Sequence, residues 1–418
     1  MTKILKFKNG LKVCVVEMPI RSVMVGFWVG TGSKFESADI NGISHFTEHV
    51  MFKGTERLSP YDIANEFESY GAMINAFTSK EATCYYFKCV DIYLENCFKL
   101  LSEIFFKSTF PAVELDRERK VIVEEINMVE DAPDDICGDL VSNAVFGDTG
   151  LGQTILGPKE NVMRFTSDDV REYMQQRYTA DNTVIVMVGN VNEAVADQLV
   201  RSYALDSFCA QKAKSVEVST KFYSGQYKTK FKDFEQTNII LSYPSYSIRD
   251  EVKQAEQMIL SCALGGGMSS RLFQSVRERL GLAYSVYSSP SAYDGTGAFN
   301  IYLNNSPENT IKALDAVKAE LDKFLSDGLT DDEFNRTKIQ IISSFVFSGE
   351  NVQSLMISNG KYLLRGDQPF DIDKRISDIE NVTKEDVLAF ARAILTPEKL
   401  SAAYVGRAFD GNVLEIMK

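Results

Sequence analysis

The two histidines of this 418-residue chain, His45 and His49, lie in one five-residue segment, and Glu48 directly precedes the second. On a helix, residues four apart share one face and lie about 6 Å apart along the axis. Two neutral imidazoles at this spacing can bind one metal ion, and the Glu48 carboxylate can take a proton from water beside it. The alternative is two histidines on a buried helix face that hydrogen-bond to protein groups. The spacing predicts a zinc site of the His-x-x-Glu-His type.

A zinc ion that takes part in catalysis usually has three protein ligands, and no third histidine is present. The best source of the third ligand is the helix predicted from about Val113 to Glu130. Glu125 flanks the apolar stripe of this helix, and Glu118 lies seven residues earlier on the same edge. A carboxylate at an apolar margin needs a partner, which a metal ion would provide. The pattern by itself leaves Glu124, on the polar side, as an alternative to Glu125.

The composition is that of a globular protein, with 44% hydrophobic and 25% charged residues. The net charge of −13 argues against nucleic acid as a partner, because phosphate binding requires clustered lysine and arginine. No apolar run has the length of a membrane span, and the N-terminal segment lacks the apolar core of a signal peptide. The seven cysteines form no Cys-x-x-Cys pair and lie mostly among apolar neighbours. We therefore expect no membrane partner, reduced thiols and a cytoplasmic location.

A weak internal repeat divides the chain into two halves. Thr166 and Thr383 each begin a predicted helix with a hydroxyl followed three residues later by an aspartate. Each helix leads through a turn to an apolar strand that ends at a glycine, Gly189 or Gly406, and the spacing between the two copies is the same at both points. We expect an α+β fold of two homologous domains, each a largely antiparallel sheet packed with helices. The predicted domains are residues 1–215, with the metal site, and 220–418, with a glycine-rich segment (264–268) where the histidines would fall.

Motifs spread over nearly the whole chain match those of one known family. They are Asn9-Gly10-Leu11; Gly42-Ile43-Ser44-His45-Phe46-Thr47-Glu48-His49 with Phe52-Lys53-Gly54-Thr55; Asn75-Ala76-Phe77-Thr78; Val123-Glu124-Glu125-Ile126 with Glu130-Asp131; Gly266-Gly267-Met268-Ser269-Ser270-Arg271-Leu272; and Gly281-Leu282-Ala283-Tyr284-Ser285. This pattern resembles the pitrilysin/insulinase metallopeptidases, and most closely the bacterial relatives of the mitochondrial processing peptidase. Thr47 departs from the family, where a larger apolar residue is usual, but it is not a ligand.

The resemblance implies roles for particular residues. The family places its third zinc ligand at the position of Glu125 and a supporting acid at the position of Glu118. It also has an arginine and a tyrosine seven residues apart, which correspond to Arg277 and Tyr284. The tyrosine would donate to the developing oxyanion, and the arginine would hold a substrate carbonyl or order the site. Without the resemblance, Tyr284 would be interpreted as core packing in a strand and Arg277 as part of an ion pair on a solvated helix.

Asn75, Ala76 and Phe77 resemble the strand to which the family binds substrate, an exposed sheet edge that pairs with an extended peptide through its backbone. An ordinary edge strand is the alternative. The implied activity is that of a zinc endopeptidase, with one zinc ion per chain, that cleaves peptides or unfolded, presequence-like segments in a closed chamber. Family members enclose substrates between two bowl-shaped halves, so this chain would form a homodimer whose sites are completed in trans. The alternative is an inactive scaffold or partner subunit, but such family members lose ligands or the Arg/Tyr pair, which this chain retains.

Overall fold

The computed structural model of the chain describes residues 2–148, 150–208 and 212–418. In chain order the strands are β1 Thr2–Lys6, β2 Lys12–Glu17, β3 Ser22–Val29, β4 Met73–Thr78, β5 Thr83–Val90, β6 Thr183–Gly189, β7 Tyr227–Phe231, β8 Thr237–Ser245, β9 Ser285–Tyr293, β10 Thr296–Asn305 and β11 Ser401–Gly406. The α-helices are α1 Ile43–Met51, α2 Pro60–Ser69, α3 Leu94–Lys107, α4 Ala112–Asp131, α5 Pro133–Phe146, α6 Lys159–Arg164, α7 Ser167–Arg177, α8 Glu193–Tyr203, α9 Glu251–Gly265, α10 Thr310–Asp327, α11 Asp331–Gly349, α12 Val352–Arg365, α13 Ile372–Asn381, α14 Lys384–Ile394 and α15 Val413–Ile416. A π-helical segment spans Phe273–Arg279.

The chain forms two compact units, and each unit includes one segment from the other half of the sequence. Unit 1 comprises Met1–Ile126, Thr154–Val218 and Ser348–Phe370, and unit 2 comprises Asn127–Gln153, Ser219–Phe347 and Asp371–Lys418. The boundary after Val218 falls between the two predicted domains, 1–215 and 220–418. However, α5 belongs to unit 2 and α12 to unit 1, so the units differ from the continuous domains 1–215 and 220–418. The reason is that each of these helices buries its apolar side chains in the unit to which it belongs.

In unit 1 the strand order is β1-β2-β6-β3-β5-β4. Strands β2 and β6 run parallel, and the other neighbours are antiparallel. The central strands β3 and β6 are apolar and almost entirely buried, because helices cover both sheet faces. On the α12 side, the Trp28 indole donates to the Met356 sulfur at 3.0 Å. Gly360 lies against the same ring, where a Cβ atom would lie only 2.3 Å from the indole.

In unit 2 the strand order is β7-β11-β8-β10-β9, with one parallel pair, β7 and β11, in the position of β2 and β6. The repeat seen in the sequence is therefore a structural repeat. Thr166 and Thr383 both cap their helices, α7 and α14, in complete capping boxes. Gly189 and Gly406 both end the matching strands with positive φ angles, +131° and +155°. The predicted α+β class with two homologous sheets packed with helices is confirmed.

Among the described helices, none is long and apolar enough to cross a membrane. In the same part of the chain, the cysteines are free thiols, and all of them except Cys262 are buried. Cys209 lies outside the described residues. The reduced state expected for the thiols is thus compatible with their burial as small apolar side chains.

Candidate metal centre

Helix α1 in unit 1 carries the first three predicted site residues. The helix begins after Gly42, whose φ of +99° suits glycine. His45 is buried, with 8% of its surface exposed, and His49 follows one turn later. The ring centroids of the two histidines are 4.6 Å apart, as the i, i+4 spacing predicts.

Helix α4 brings Glu125 to the two histidines. Glu125 Oε2 lies 3.6 Å from His45 Nε2 and 3.6 Å from His49 Nε2. One ligand atom from each of these three residues lies within 4.8 Å of the others. Glu124, the alternative left open by the helix pattern, is exposed on the outer side of α4. The structure thus brings together His45, His49 and Glu125.

The atoms of this cluster fit a divalent metal ion. Glu125 Oε2 is buried and, among the residues that the structure describes, has no hydrogen-bond partner. A buried carboxylate oxygen without a donor is costly unless a cation satisfies it. Burial, and then the neighbouring His49, lowers the pKa of His45 to about 3. The imidazole is therefore neutral at neutral pH, which is the form that binds metals, and two histidines with one carboxylate are a typical ligand set for catalytic zinc.

Glu118 lies directly behind His49. Its Oε2 is 3.1 Å from His49 Nδ1, and its Oε1 is 2.6 Å from Lys53 Nζ. Burial opposes ionisation of Glu118, but the hydrogen bonds with His49 and Lys53 outweigh it, and the pKa is lowered. A carboxylate that accepts a hydrogen bond from the Nδ1–H group fixes the ring and leaves Nε2 to face a metal ion. Lys53 was not assigned a role from the sequence, where it was only part of a motif.

Glu48 points to the end of strand β4. Thr78 Oγ1 donates a hydrogen bond of 2.5 Å to Glu48 Oε2. Burial raises the pKa of Glu48, and the hydrogen bond from Thr78 and the charge of His49 only partly offset this effect. Sequence reasoning missed Thr78, because a threonine at the end of a strand carries no local signal for a partner thirty residues away in the chain.

Strand β4, which contains Asn75, Ala76 and Phe77, is the last strand of its sheet and in the described part of the chain pairs with β5. Its outer edge therefore has no strand partner among the described residues. A cleft of about 370 Å³ borders the strand, and its lining residues are Glu48, His49, Phe52, Lys53, Pro60, Ile63, Ala64, Ile74, Asn75, Ala76 and Glu118. Phe77 is not part of this lining. Its ring packs edge-on against Trp28, with centroids 5.3 Å apart.

Arg277 and Tyr284 lie in unit 2. Arg277 is in the π-helical segment, and its guanidinium lies 4.7 Å from the ring centre of Phe273 and 5.7 Å from that of Tyr284. It also forms a long ion pair of 3.9 Å with Glu278. Tyr284 directly precedes β9 and is 71% exposed. The tyrosine is therefore not packed in a core, and the structure brings the predicted pair together on the surface of unit 2.

Comparisons with known proteins agree with this architecture. Family models for insulinase (peptidase family M16) and for the peptidase M16 inactive domain match residues 12–159 and 164–341, respectively. A protein named as an uncharacterized zinc protease, YmxG of Bacillus subtilis (strain 168), is 38% identical over 94% of this chain and 95% of its own. A second, SCO5738 of Streptomyces coelicolor, is 36% identical over 93% and 86%.

Solved structures share the fold over the whole length. A protease from Helicobacter pylori superimposes with a TM-score of 0.90 at 20% identity and covers 97% of this chain and 99% of its own. A peptidase M16 inactive domain from Pseudomonas fluorescens gives 0.89 at 21% identity, with 98% and 99% covered. Since the sequence relatives are more than 30% identical over nearly their full length, the chain belongs to the insulinase family of peptidases, family M16.

Proposed function

We propose that this protein is a zinc-dependent endopeptidase with one zinc ion per chain. The observation that carries the proposal is the convergence of His45, His49 and Glu125, together with the buried Glu125 Oε2, which has no hydrogen-bond donor among the described residues. Relatives named as zinc proteases support the same conclusion. The three residues would hold the metal, which would polarise the scissile carbonyl and lower the pKa of water.

The residues around this cluster have complementary roles in the proposal. Glu48 takes a proton from the attacking water and passes it to the leaving amine. Thr78 holds the Glu48 carboxylate in place through the 2.5 Å hydrogen bond. Glu118 orients His49, and its charge supports a cation at the other ring nitrogen. Burial of these groups strengthens their electrostatic interactions with a developing charge.

Substrates would bind as extended peptides along the free edge of β4. Backbone pairing tolerates many side chains, so peptides and unfolded, presequence-like segments are the proposed substrate class. The cleft beside Asn75 and Ala76, with apolar lining from α2 and from Phe52, would receive one substrate side chain. Folded proteins would be spared, because a peptide must be extended to pair with a strand.

The deciding experiment combines metal analysis with a quenched-fluorescence peptide assay. The purified chain should contain about one zinc ion, and a chelator should abolish cleavage. Glu48→Gln should retain zinc and lose turnover, whereas His45→Ala should lose both. A chain without zinc and without activity would instead indicate the inactive scaffold or partner subunit, and normal cleavage by Glu48→Gln would refute the proposed general base.

We further propose that the active form is a homodimer in which Arg277 and Tyr284 of one protomer complete the metal site of its partner. The exposure of Tyr284 supports this role, since a surface tyrosine can meet a partner chain. Mixing a His45→Ala chain with a Tyr284→Phe chain tests the idea. In the mixed dimer, one site combines the intact metal ligands of the Tyr284→Phe chain with the intact tyrosine of the His45→Ala chain. Activity should return on mixing. Absence of recovery after proven subunit exchange would reject completion in trans.

A further inference from the structure

Helix α1 begins without a side-chain cap of its own. The first N–H groups of any helix have no partner within the helix, and a polar side chain at the N-cap usually satisfies one of them. The N-cap here is Gly42, which has no side chain to do so. A larger residue would not fit, because a Cβ atom at this position would lie 2.6 Å from the Leu156 carbonyl oxygen.

The carboxylate of Glu36, six residues before the N-cap, takes over this function. Its Oε2 accepts hydrogen bonds from the Gly42 backbone N–H at 2.7 Å and from the Asn41 side-chain amide at 2.9 Å. Its Oε1 accepts one from the Ser44 backbone N–H at 2.8 Å. All three of these groups are hydrogen-bond donors, which match the acceptor oxygens of a carboxylate. Glu36 is only 4% exposed, and this burial raises the pKa of its carboxyl, whereas the hydrogen bonds from Ser44, Gly42 and Asn41 act to lower it.

A second set of hydrogen bonds fixes the same turn. The Ser44 hydroxyl lies 2.6 Å from the Tyr173 hydroxyl, which in turn lies 2.7 Å from the hydroxyl of Thr31. Ser44 is thus held through both its backbone, by Glu36, and its side chain. It directly precedes His45, and a helix transmits the orientation of its first turn to His49 one turn later.

We propose that Glu36 is a positioning residue for the metal ligands. The inference rests on the proposed zinc site and assigns part of its affinity to a carboxylate that does not touch the metal. Metal ligands bind well only when the surrounding groups hold them close to the productive geometry. Without the Glu36 carboxylate, the first turn of α1 loses two acceptors, and His45 and His49 are less well ordered before metal binding.

The test is the zinc affinity of Glu36→Gln, measured by competition with a chromophoric chelator. Glutamine has nearly the same shape, but an NH₂ group replaces one of the two carboxylate oxygens. This NH₂ group cannot accept a hydrogen bond from the N–H donors that Glu36 binds. We expect the dissociation constant for zinc to rise at least about tenfold, the usual effect of losing a group that supports a metal ligand. Glu256→Gln is the matched control, because Glu256 is a buried carboxylate in unit 2 that pairs with Lys253. This control should bind zinc as the wild type does.

Circular dichroism establishes that each variant is folded before the titration. If Glu36→Gln does not fold, Tyr173→Phe decides, since it removes the hydroxyl that holds Ser44 and should also weaken zinc binding. A folded Glu36→Gln chain with zinc affinity within twofold of the wild type, or an unchanged Tyr173→Phe chain in its place, overturns the inference. A wild-type chain that binds no zinc refutes the proposed function and this inference together, so the two failures are distinguishable.

Discussion

Replacing Thr78 with valine tests whether the edge strand β4 orients the general base. Valine has the shape of threonine and the same preference for strands, but it removes the hydroxyl that donates to Glu48. A hydrogen bond to a charged group contributes about 1.5–3 kcal/mol. Each 1.4 kcal/mol corresponds to a factor of about ten, so we expect kcat/KM to fall about 10- to 100-fold. Zinc content should not change, because Thr78 is not a ligand in the proposed site.

Two matched variants separate this effect from a general loss of stability. Thr78→Ser keeps the hydroxyl and should retain most of the activity. Thr83 lies directly across from Thr78 in the β4–β5 hairpin and is fully buried, but its hydroxyl donates to the Thr31 carbonyl oxygen at 3.0 Å. Thr83→Val should therefore lower the free energy of unfolding and leave kcat/KM of the folded enzyme unchanged. The assay is cleavage of a quenched peptide by zinc-loaded protein, with denaturant unfolding measured in parallel.

The reasoning would be refuted if Thr78→Val cleaved the peptide within twofold of the wild type. It would also be refuted if Thr78→Val and Thr83→Val lost activity equally, since the hairpin would then matter only as a structural support. A loss of activity that Thr78→Ser shares would point to the threonine methyl group and not to the hydroxyl.

Two further results should follow from the structure. Glu118→Gln should weaken zinc binding about tenfold in a chelator competition, because the charged carboxylate 3.1 Å from His49 Nδ1 is replaced by a neutral amide. Unchanged zinc affinity would show that this carboxylate does not support the His49 ligand. Gly360→Ala should destabilise the chain by about 1–3 kcal/mol in denaturant unfolding, because a Cβ atom would overlap the ring of Trp28. Gly138→Ala, on α5 with no atom near the added Cβ, should by comparison be neutral or stabilising; equal losses in both glycine variants would contradict the packing argument.

The hairpin that carries Thr78 is held by a segment from the other half of the sequence. Glu81, in the turn between β4 and β5, lies 2.7 Å from Lys34 Nζ and 2.7 Å from a guanidinium nitrogen of Arg365 on α12. The side chains of all three residues are mostly buried, so these ion pairs are less screened by solvent than surface pairs. The second half of the chain has no metal ligand of the proposed site, but its helix α12 packs on the unit 1 sheet and holds the turn that follows the proposed substrate strand.

Local patterns in the sequence were sufficient for the parts of the protein that depend on neighbouring residues. The His45/His49 pair follows from helical periodicity, since residues four apart necessarily share a face. The capping boxes at Thr166 and Thr383 and the matching strand ends likewise follow from short-range rules, and with them the two-fold repeat. The −13 net charge and the absence of long apolar runs needed no structure to be interpreted.

Only the tertiary structure decided which distant groups meet. The helix pattern put Glu125 beside the apolar stripe and Glu124 on the polar side, but it did not exclude Glu124. The family resemblance favoured Glu125, and the tertiary structure brings the Glu125 carboxylate to the two histidines. The bond between Thr78 and Glu48 and the capping of α1 by Glu36 join groups that local periodicity does not relate. The sequence also could not predict that α5 belongs to unit 2 and α12 to unit 1. An apolar helix face indicates that the helix will be buried, but it does not indicate against which sheet.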